Sequence, residues 1–298
     1  MTRIAEPQPL AETRAKVFVR RHALVTRITH WINAVCILIL LPSGLQILMA
    51  HPAFYWGQYG SDRDRPALEI GAEEADNGAL KGFLRVGGTT VDTTGYLGAV
   101  KGADGEWRDR ALPSWATLPS YRSLALGRRW HFFFAWLFVA NLGFYYLFSF
   151  ATGHLRHDLL PTRRQLSPRA LLEDITHHLK LQFPQGEAAR HYNPLQKLAY
   201  LGVVALLLPT SILTGLTMSP GMDAILPWLV DLFGGRQSAR TIHFIAASLI
   251  VLFLLVHLVM VVLAGPINEI RSMITGKLKI TVEESRDASS QQDRHSAP

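Results

Sequence analysis

The sequence predicts an all-α integral membrane protein: a bundle of four transmembrane helices, both termini on the cytoplasmic side, with a long loop on the outer side. Three observations predict it. The 298-residue chain is 49% hydrophobic, and its apolar residues are gathered into runs. Four runs, at about 28–50, 130–152, 196–218 and 241–264, reach the roughly 20 residues that a helix needs to cross a bilayer. Lys and Arg are concentrated in the segments on one side of these runs.

None of the four runs contains Asp or Glu, and the only Lys, Lys197, lies at an end. A backbone in hydrocarbon must satisfy its own hydrogen bonds, so each run reads as a helix. Four uncharged runs of this length argue against a soluble protein with buried core helices. The flanking charges set the orientation. Residues 1–29 hold six basic residues against Glu6 and Glu12, and residues 153–197 hold seven against four acids. Residues 51–127 hold eight basic and ten acidic residues, and 219–238 hold Arg236 against Asp223 and Asp231. The basic sides belong in the cytoplasm. The formal net charge of +7 therefore reflects topology, and no nucleic-acid partner is expected.

The division that follows is a cytoplasmic N-terminal segment 1–27, a transmembrane domain 28–264 with an outer insertion 51–127, and a cytoplasmic tail 265–298 that is polar and disordered from Glu283. The first 27 residues do not read as a cleaved secretory signal. The single cysteine, Cys36, excludes an intrachain disulfide and a C-x-x-C-H haem attachment.

Within the insertion, "FLRVGGTTVDTTGYLGAVKGADGEW" has strand-like residues punctuated by glycine, which predicts a small hairpin. The loop's length fits a docking surface or a solvated insertion. "SPRALLEDITHHLKLQF" reads as an amphipathic helix at the membrane surface, with Ser167 as cap and Pro168 at its first position. Its adjacent His177 and His178 read as surface residues. "MDAILPWLVDLF" predicts a short interfacial helix. "LLPSGL" in the first run and "LLPTSILTGL" in the third are similar, and either a weak internal repeat or ordinary helix packing accounts for them.

The histidines carry the chemistry. His243 and His257 stand fourteen residues apart in the fourth run. That spacing is about 21 Å of rise and falls ~40° short of four full turns, so the two lie on nearly one face at opposite depths. His131 matches the outer depth of His243, and His30 the inner depth of His257. Ionisable groups inside spans are rare and are paired. Two bis-imidazole pairs, His131–His243 and His30–His257, suit the iron of two non-covalent b-type haems. Arg27, Arg128, Arg129 and Arg240 stand beside these histidines, where they suit haem propionates or equally anchor the interface. Phe132, Phe133, Phe134 and Trp136 suit packing against porphyrin. His51 reads as interfacial.

The stretches "THW" with His30, "RRWH" with His131 and "HFIAASLIVLFLLVH" with His243 and His257 resemble the prokaryotic cytochrome b-561 family. That family includes the cytochrome b subunits of membrane-bound hydrogenases and formate dehydrogenases. The similarity covers about residues 20–280, apart from the unusually large outer loop. It implies a di-haem cytochrome in the bacterial cytoplasmic membrane, exchanging electrons between the quinone pool and a periplasmic redox subunit such as a molybdenum enzyme, a hydrogenase or a c-type cytochrome. "HYNPLQKLAY" is similar to the family's segment beside the inner quinone pocket, which implies quinone contacts for Asn193 and Gln196 and proton delivery for Lys197. Without the resemblance, Asn193-Pro194 reads as the capped start of a helix.

The resemblance implies an electron-transfer subunit, with no separate catalytic residue assigned. A self-sufficient quinone-linked oxidoreductase, acting on a small outer species such as superoxide, is the runner-up. A histidine-lined metal or proton transporter would want acidic residues in the spans. A haem-based sensor would want an open iron position or a signalling domain.

Overall fold

A computed structural model describes residues 14–102, 104–155, 159–180 and 193–283. The polar tail beyond Glu283, the first thirteen residues, and His191 and Tyr192 of the quinone-like segment lie outside the described residues. The chain forms two compact units. One comprises Ile28–Leu160 and Leu198–His257; the other comprises Met1–Arg27, Pro161–Lys197 and Leu258–Pro298.

Four helical stretches are long and apolar enough to cross a membrane: α1 (Leu24–Leu48), α2 (Leu124–Thr152), the stretch Pro194–Thr217, and α8 (Arg236–Ala264). They start earlier than the apolar runs. α2 begins six residues before Trp130, with the Ser123 hydroxyl accepting from the Leu126 amide at 3.4 Å. α8 begins five residues before Thr241. A hydrophobicity criterion stops at Arg128, Arg129 and Arg240, but arginine is a good helix former, so the helices continue into these polar turns. Leu147, Phe150, Leu206, Leu252 and Val262 are exposed along the spans, as a bilayer-facing surface requires.

The third span is not one regular helix. It consists of α4 (Pro194–Gly202), a π-helical turn at Val203–Leu207, and α5 (Leu208–Thr217). The Leu208 amide donates to the Val203 carbonyl. At the same spacing the Val204 carbonyl would need an N–H from residue 209, and Pro209 has none. The Tyr146 hydroxyl of α2 donates to Val204 instead. At mid-depth, Cys36, Phe138, Leu142, Tyr145, Leu208 and Ile250 form the buried core that joins all four spans.

The expectation of an all-α protein is overturned, because eight strands occur among the described residues. In the outer insertion, β2 (Ala53–Phe54), β3 (Leu68–Glu74), β4 (Leu80–Val86) and β5 (Thr89–Asp92) form one antiparallel sheet. β6 (Ala99–Lys101) and β7 (Trp107–Asp109) form a second pair. In place of the expected hairpin there are two, β4–β5 within the four-stranded sheet and β6–β7 as a separate pair. Ile70 is the single buried residue of β3, and it packs with Leu48, Met49 and Phe54 in a separate core. With one buried residue each in β3 and β4 and none in β5, these strands give almost no period-2 signal.

The other sheet lies in the second unit, where β1 (Arg14–Arg20) pairs antiparallel with β8 (Lys277–Glu283). Val19, Leu278 and Ile280 form its buried side. Arg14–Arg20 of the N-terminal segment and Lys277–Glu283 of the tail are thus strands. Each alternates correctly, but no local signal joins two strands so far apart in the chain.

Between the spans lie α3 (Pro168–Leu179), α6 (Pro220–Ile225) and α7 (Trp228–Leu232), and α9 (Pro266–Thr275) follows the last span. α3 starts as expected, with Ser167 accepting from the Ala170 amide at 3.3 Å. The single interfacial helix expected in the second outer loop is two short ones, α6 and α7, separated at Leu226–Pro227.

Candidate functional site

The histidines come together as two pairs, both within the first unit. On the outer side the rings of His131 (α2) and His243 (α8) have centroids 6.4 Å apart and planes inclined at 71°. On the inner side the rings of His30 (α1) and His257 (α8) are also 6.4 Å apart, inclined at 61°. Two imidazole nitrogens on opposite sides of one metal, at about 2 Å each, put their ring centres about 6 Å apart. Each pair therefore has a separation that suits one metal held between two imidazoles, and the residues would fit a haem. The pairs are the ones expected from depth along the helices.

The outer pair is held by hydrogen bonds that sequence reading missed. His131 Nδ1 lies 3.1 Å from the Leu40 carbonyl oxygen and His243 Nδ1 lies 2.9 Å from that of Ser211. A carbonyl only accepts, so in each ring Nδ1 carries the proton and Nε2 keeps its lone pair for a metal. A hydroxyl stands beside each: Ser43 Oγ at 3.2 Å from His131 Nδ1 and Thr214 Oγ1 at 3.0 Å from His243 Nδ1. Both hydroxyls donate one turn back along their own helices, to Ile39 and Thr210. A glycine completes each cradle. A Cβ on Gly44 would meet His131 Cε1 at 3.2 Å, and one on Gly215 would meet His243 Cε1 at 3.5 Å.

The two cradles are the same device in the same register. Leu40, Ser43 and Gly44 stand at i, i+3 and i+4, as do Ser211, Thr214 and Gly215. The likeness of "LLPSGL" to "LLPTSILTGL" is thereby given a physical meaning: each supplies the seat of one outer histidine.

The inner pair is built differently. His30 Nδ1 is buried and has no hydrogen-bond partner among the described residues. Aromatic rings surround the pair instead. Phe253 stacks on His257 at 5.8 Å and 13°, Tyr200 meets His257 at its edge, and Trp31 meets His30 edge-on at 5.4 Å. Nearby, buried Asn141 donates to the Thr29 carbonyl at 2.9 Å and to Asn33 Oδ1 at 2.7 Å, fastening α2 to α1.

The four arginines divide. Arg128 and Arg129 are exposed on the first turns of α2, with Arg128 over the Phe132 ring at 5.4 Å. Arg240 donates to the carbonyls of Ala53, at 3.0 Å, and His51. Arg27 donates to the Ile274 carbonyl at 2.6 Å. These last two are engaged by backbone. Phe133 and Trp136 are exposed and Phe134 is half-buried, stacked on Trp130.

His51 stacks on Tyr55 at 5.7 Å, apart from both pairs. Burial and the Arg240 cation hold its imidazole below the usual value, against the opposing pull of Glu69. His177 is exposed on α3. Asn193, Gln196 and Lys197 are half-buried around the start of α4, in the other unit from His257. The Leu195 amide there is taken by Asp174 of α3 at 2.8 Å, a cap that the sequence reading assigned to Asn193. Among the described residues no cluster of three or more His, Cys, Asp or Glu stands ready to hold a bare metal ion.

Two comparisons bear on the site. The family model described as prokaryotic cytochrome b561 matches residues 21–276. A protein of Azospira oryzae, named as a candidate protein-methionine-sulfoxide reductase subunit, YedZ1, is 36% identical over 152 residues, covering 51% of this chain and 72% of that one.

Proposed function

We propose a role for this chain on one premise: it belongs to the prokaryotic cytochrome b561 family and is a membrane-integral b-type cytochrome. The proposal is that it holds two non-covalent haems, one between His131 and His243 and one between His30 and His257. It carries electrons across the cytoplasmic membrane between a periplasmic redox subunit and quinone. The observation that carries this reading is the pair of 6.4 Å ring separations, one near each end of α8.

Bound haem would supply one-electron chemistry, held by the paired histidines. The chain's own residues do the rest. Leu40 and Ser211 orient the outer imidazoles through their Nδ1 protons. The apolar core around Cys36, Phe138 and Leu142 keeps water from the space between the sites. Exposed Arg128 and Arg129 are placed to meet propionates on the outer side. On the family resemblance, Asn193 and Gln196 hydrogen-bond a quinone carbonyl and Lys197 delivers its proton.

The Azospira relative supports a partnered role, since its name makes it a subunit of a reductase acting on methionine sulfoxide. A periplasmic catalytic subunit is accordingly favoured over a self-sufficient oxidoreductase, and the strand-rich insertion 51–127 is its docking face.

The test is a reduced-minus-oxidised spectrum of purified protein with haem quantified. Two b haems per chain are expected. His131→Ala and His257→Ala should each lose one, and His51→Ala should lose none. Folded protein without haem would overturn the reading. Asn193→Ala should weaken the spectral response to a quinone-site inhibitor while leaving both haems in place.

A further inference from the structure

The second unit contains a helix turned inside out for a soluble setting. α9 carries Ile267, Ile270 and Ile274 on one face, at 83%, 45% and 61% exposure. Its polar side faces the protein. Ser272 is fully buried. Asn268 exchanges two hydrogen bonds with the backbone of Lys279, each 3.0 Å, and Glu269 pairs with Arg21 at 3.2 Å. Helix α9 is therefore clamped with its isoleucines outward.

The β1–β8 ribbon against which α9 is clamped also has two unlike faces. Val19, Leu278 and Ile280 are buried on one side. The register, Phe18 opposite Lys279 and Arg20 opposite Lys277, puts Lys16, Phe18, Arg20, Lys277 and Lys279 together on the other. Four of those five are cations. Phe18 is 56% exposed, and Arg271 of α9 lies over its ring at 5.1 Å. Arg271 also lines the groove formed by Ile267, Ile270 and Ile274. The isoleucine face and the basic face are thus one continuous surface.

We propose that this surface binds anionic phospholipid, with the α9 isoleucines among acyl chains and Lys16, Arg20, Lys277 and Lys279 on headgroup phosphates. Two observations select lipid as the occupant. The last residues of α8, in this same unit, are the end of a membrane span, and only Gly265 separates them from α9, so α9 begins at the bilayer boundary. The apolar face is bordered by the cations Arg271, Lys277 and Lys279, which is the charge pattern of a site for anionic headgroups. The surface lies on the side that the Lys and Arg distribution assigns to the cytoplasm.

The test uses the full chain in nanodiscs of phosphatidylcholine alone or containing phosphatidylglycerol. Hydrogen exchange is followed over residues 266–275, and retained phosphatidylglycerol is counted by native mass spectrometry. The expected result is several-fold slower exchange of α9 in the anionic discs. Replacing Lys16, Arg20, Lys277 and Lys279 by Gln should abolish that difference, each cation contributing roughly a five-fold change in lipid affinity. Equal exchange of the wild type in both discs would overturn the proposal, and that comparison stands even where the fourfold variant does not fold. Protection by inorganic phosphate in zwitterionic discs, or only on addition of a soluble protein, would overturn it as well.

Discussion

His243 Nδ1 donates to the Ser211 carbonyl at 2.9 Å with Thr214 Oγ1 3.0 Å from the same nitrogen, and His131 repeats this arrangement with Leu40 and Ser43. An imidazole whose Nδ1 proton is hydrogen-bonded is a stronger donor at Nε2. A stronger donor stabilises the oxidised iron and lowers its potential. His30 has no such bond at Nδ1 among the described residues, so a haem held there would lack this lowering on one ligand.

Thr214→Val and Ser43→Ala should therefore raise the potential of the outer haem only. The carbonyl partners remain, so the shift should be of the order of 20–60 mV, up to about a tenfold change in the one-electron equilibrium. Haem content should be unchanged. A spectroelectrochemical titration resolves the two haems. A shift in the inner haem, or none in either, would refute the role given to the hydroxyls.

The glycines of the two cradles differ in tolerance. A Cβ on Gly44 would stand 3.2 Å from His131 Cε1, whereas one on Gly215 would stand at an ordinary 3.5 Å from His243 Cε1. Close packing transmits a misfit of a few tenths of an ångström to the ring. Gly44→Ala should displace His131 and reduce outer haem occupancy, while Gly215→Ala should keep both haems. The haem-to-protein ratio after purification distinguishes them, and equal behaviour would show that the rings are free to shift.

The four ligand candidates are legible in the sequence because imidazole is rare in an uncharged span, and because fourteen residues return a helix to nearly the same face. Their seats are not legible. Leu40 and Ser211 act through backbone oxygens, which leave no trace in residue type. "LLPSGL" and "LLPTSILTGL" are visible as similar, but their prolines stand at different offsets, and only the positions of the histidines show that Ser43-Gly44 aligns with Thr214-Gly215. Asn141 is one amide in an aromatic run until α1 brings Thr29 and Asn33 beside it. The strands fail for a different reason. β3 buries one residue, and β1 meets its partner near the far end of the chain; neither fact has a local periodicity.

Tyr146 and Pro209 form a compensating pair. Tyr146 donates to the Val204 carbonyl, which Pro209 leaves without its backbone donor. Tyr146→Phe should strand that carbonyl in the membrane interior and destabilise the protein by about 1–2 kcal/mol. Pro209→Ala supplies an N–H, so the double variant should recover much of the loss. Unfolding in mixed micelles measures the cycle. Additive effects of the two substitutions would mean that the carbonyl is satisfied in some other way.

The start of α8 is fastened to the outer insertion at a point where only glycine fits. Gly235 has φ +111°, and a Cβ there would lie 2.4 Å from the Gly57 carbonyl oxygen. That oxygen accepts from the amides of Gln237 and Ser238, both at 3.1 Å, and so caps the helix that carries His243 and His257. Ser238 Oγ accepts from the Gly57 amide at 2.7 Å and Thr241 donates to the Tyr55 carbonyl at 2.6 Å, completing the clasp. Gly235→Ala forces both a rare backbone conformation and a backbone clash, at a cost of roughly 2–3 kcal/mol or more. Because His243 lies two turns further along α8, the outer haem should be lost first on heating and the inner haem later. Gly221→Ala, on α6 with open space around it, should leave the melting profile unchanged. Thermal scans that follow the two haem signals separately check this order, and simultaneous loss of both would show that the clasp stabilises the bundle as a whole and has no particular hold on the outer site.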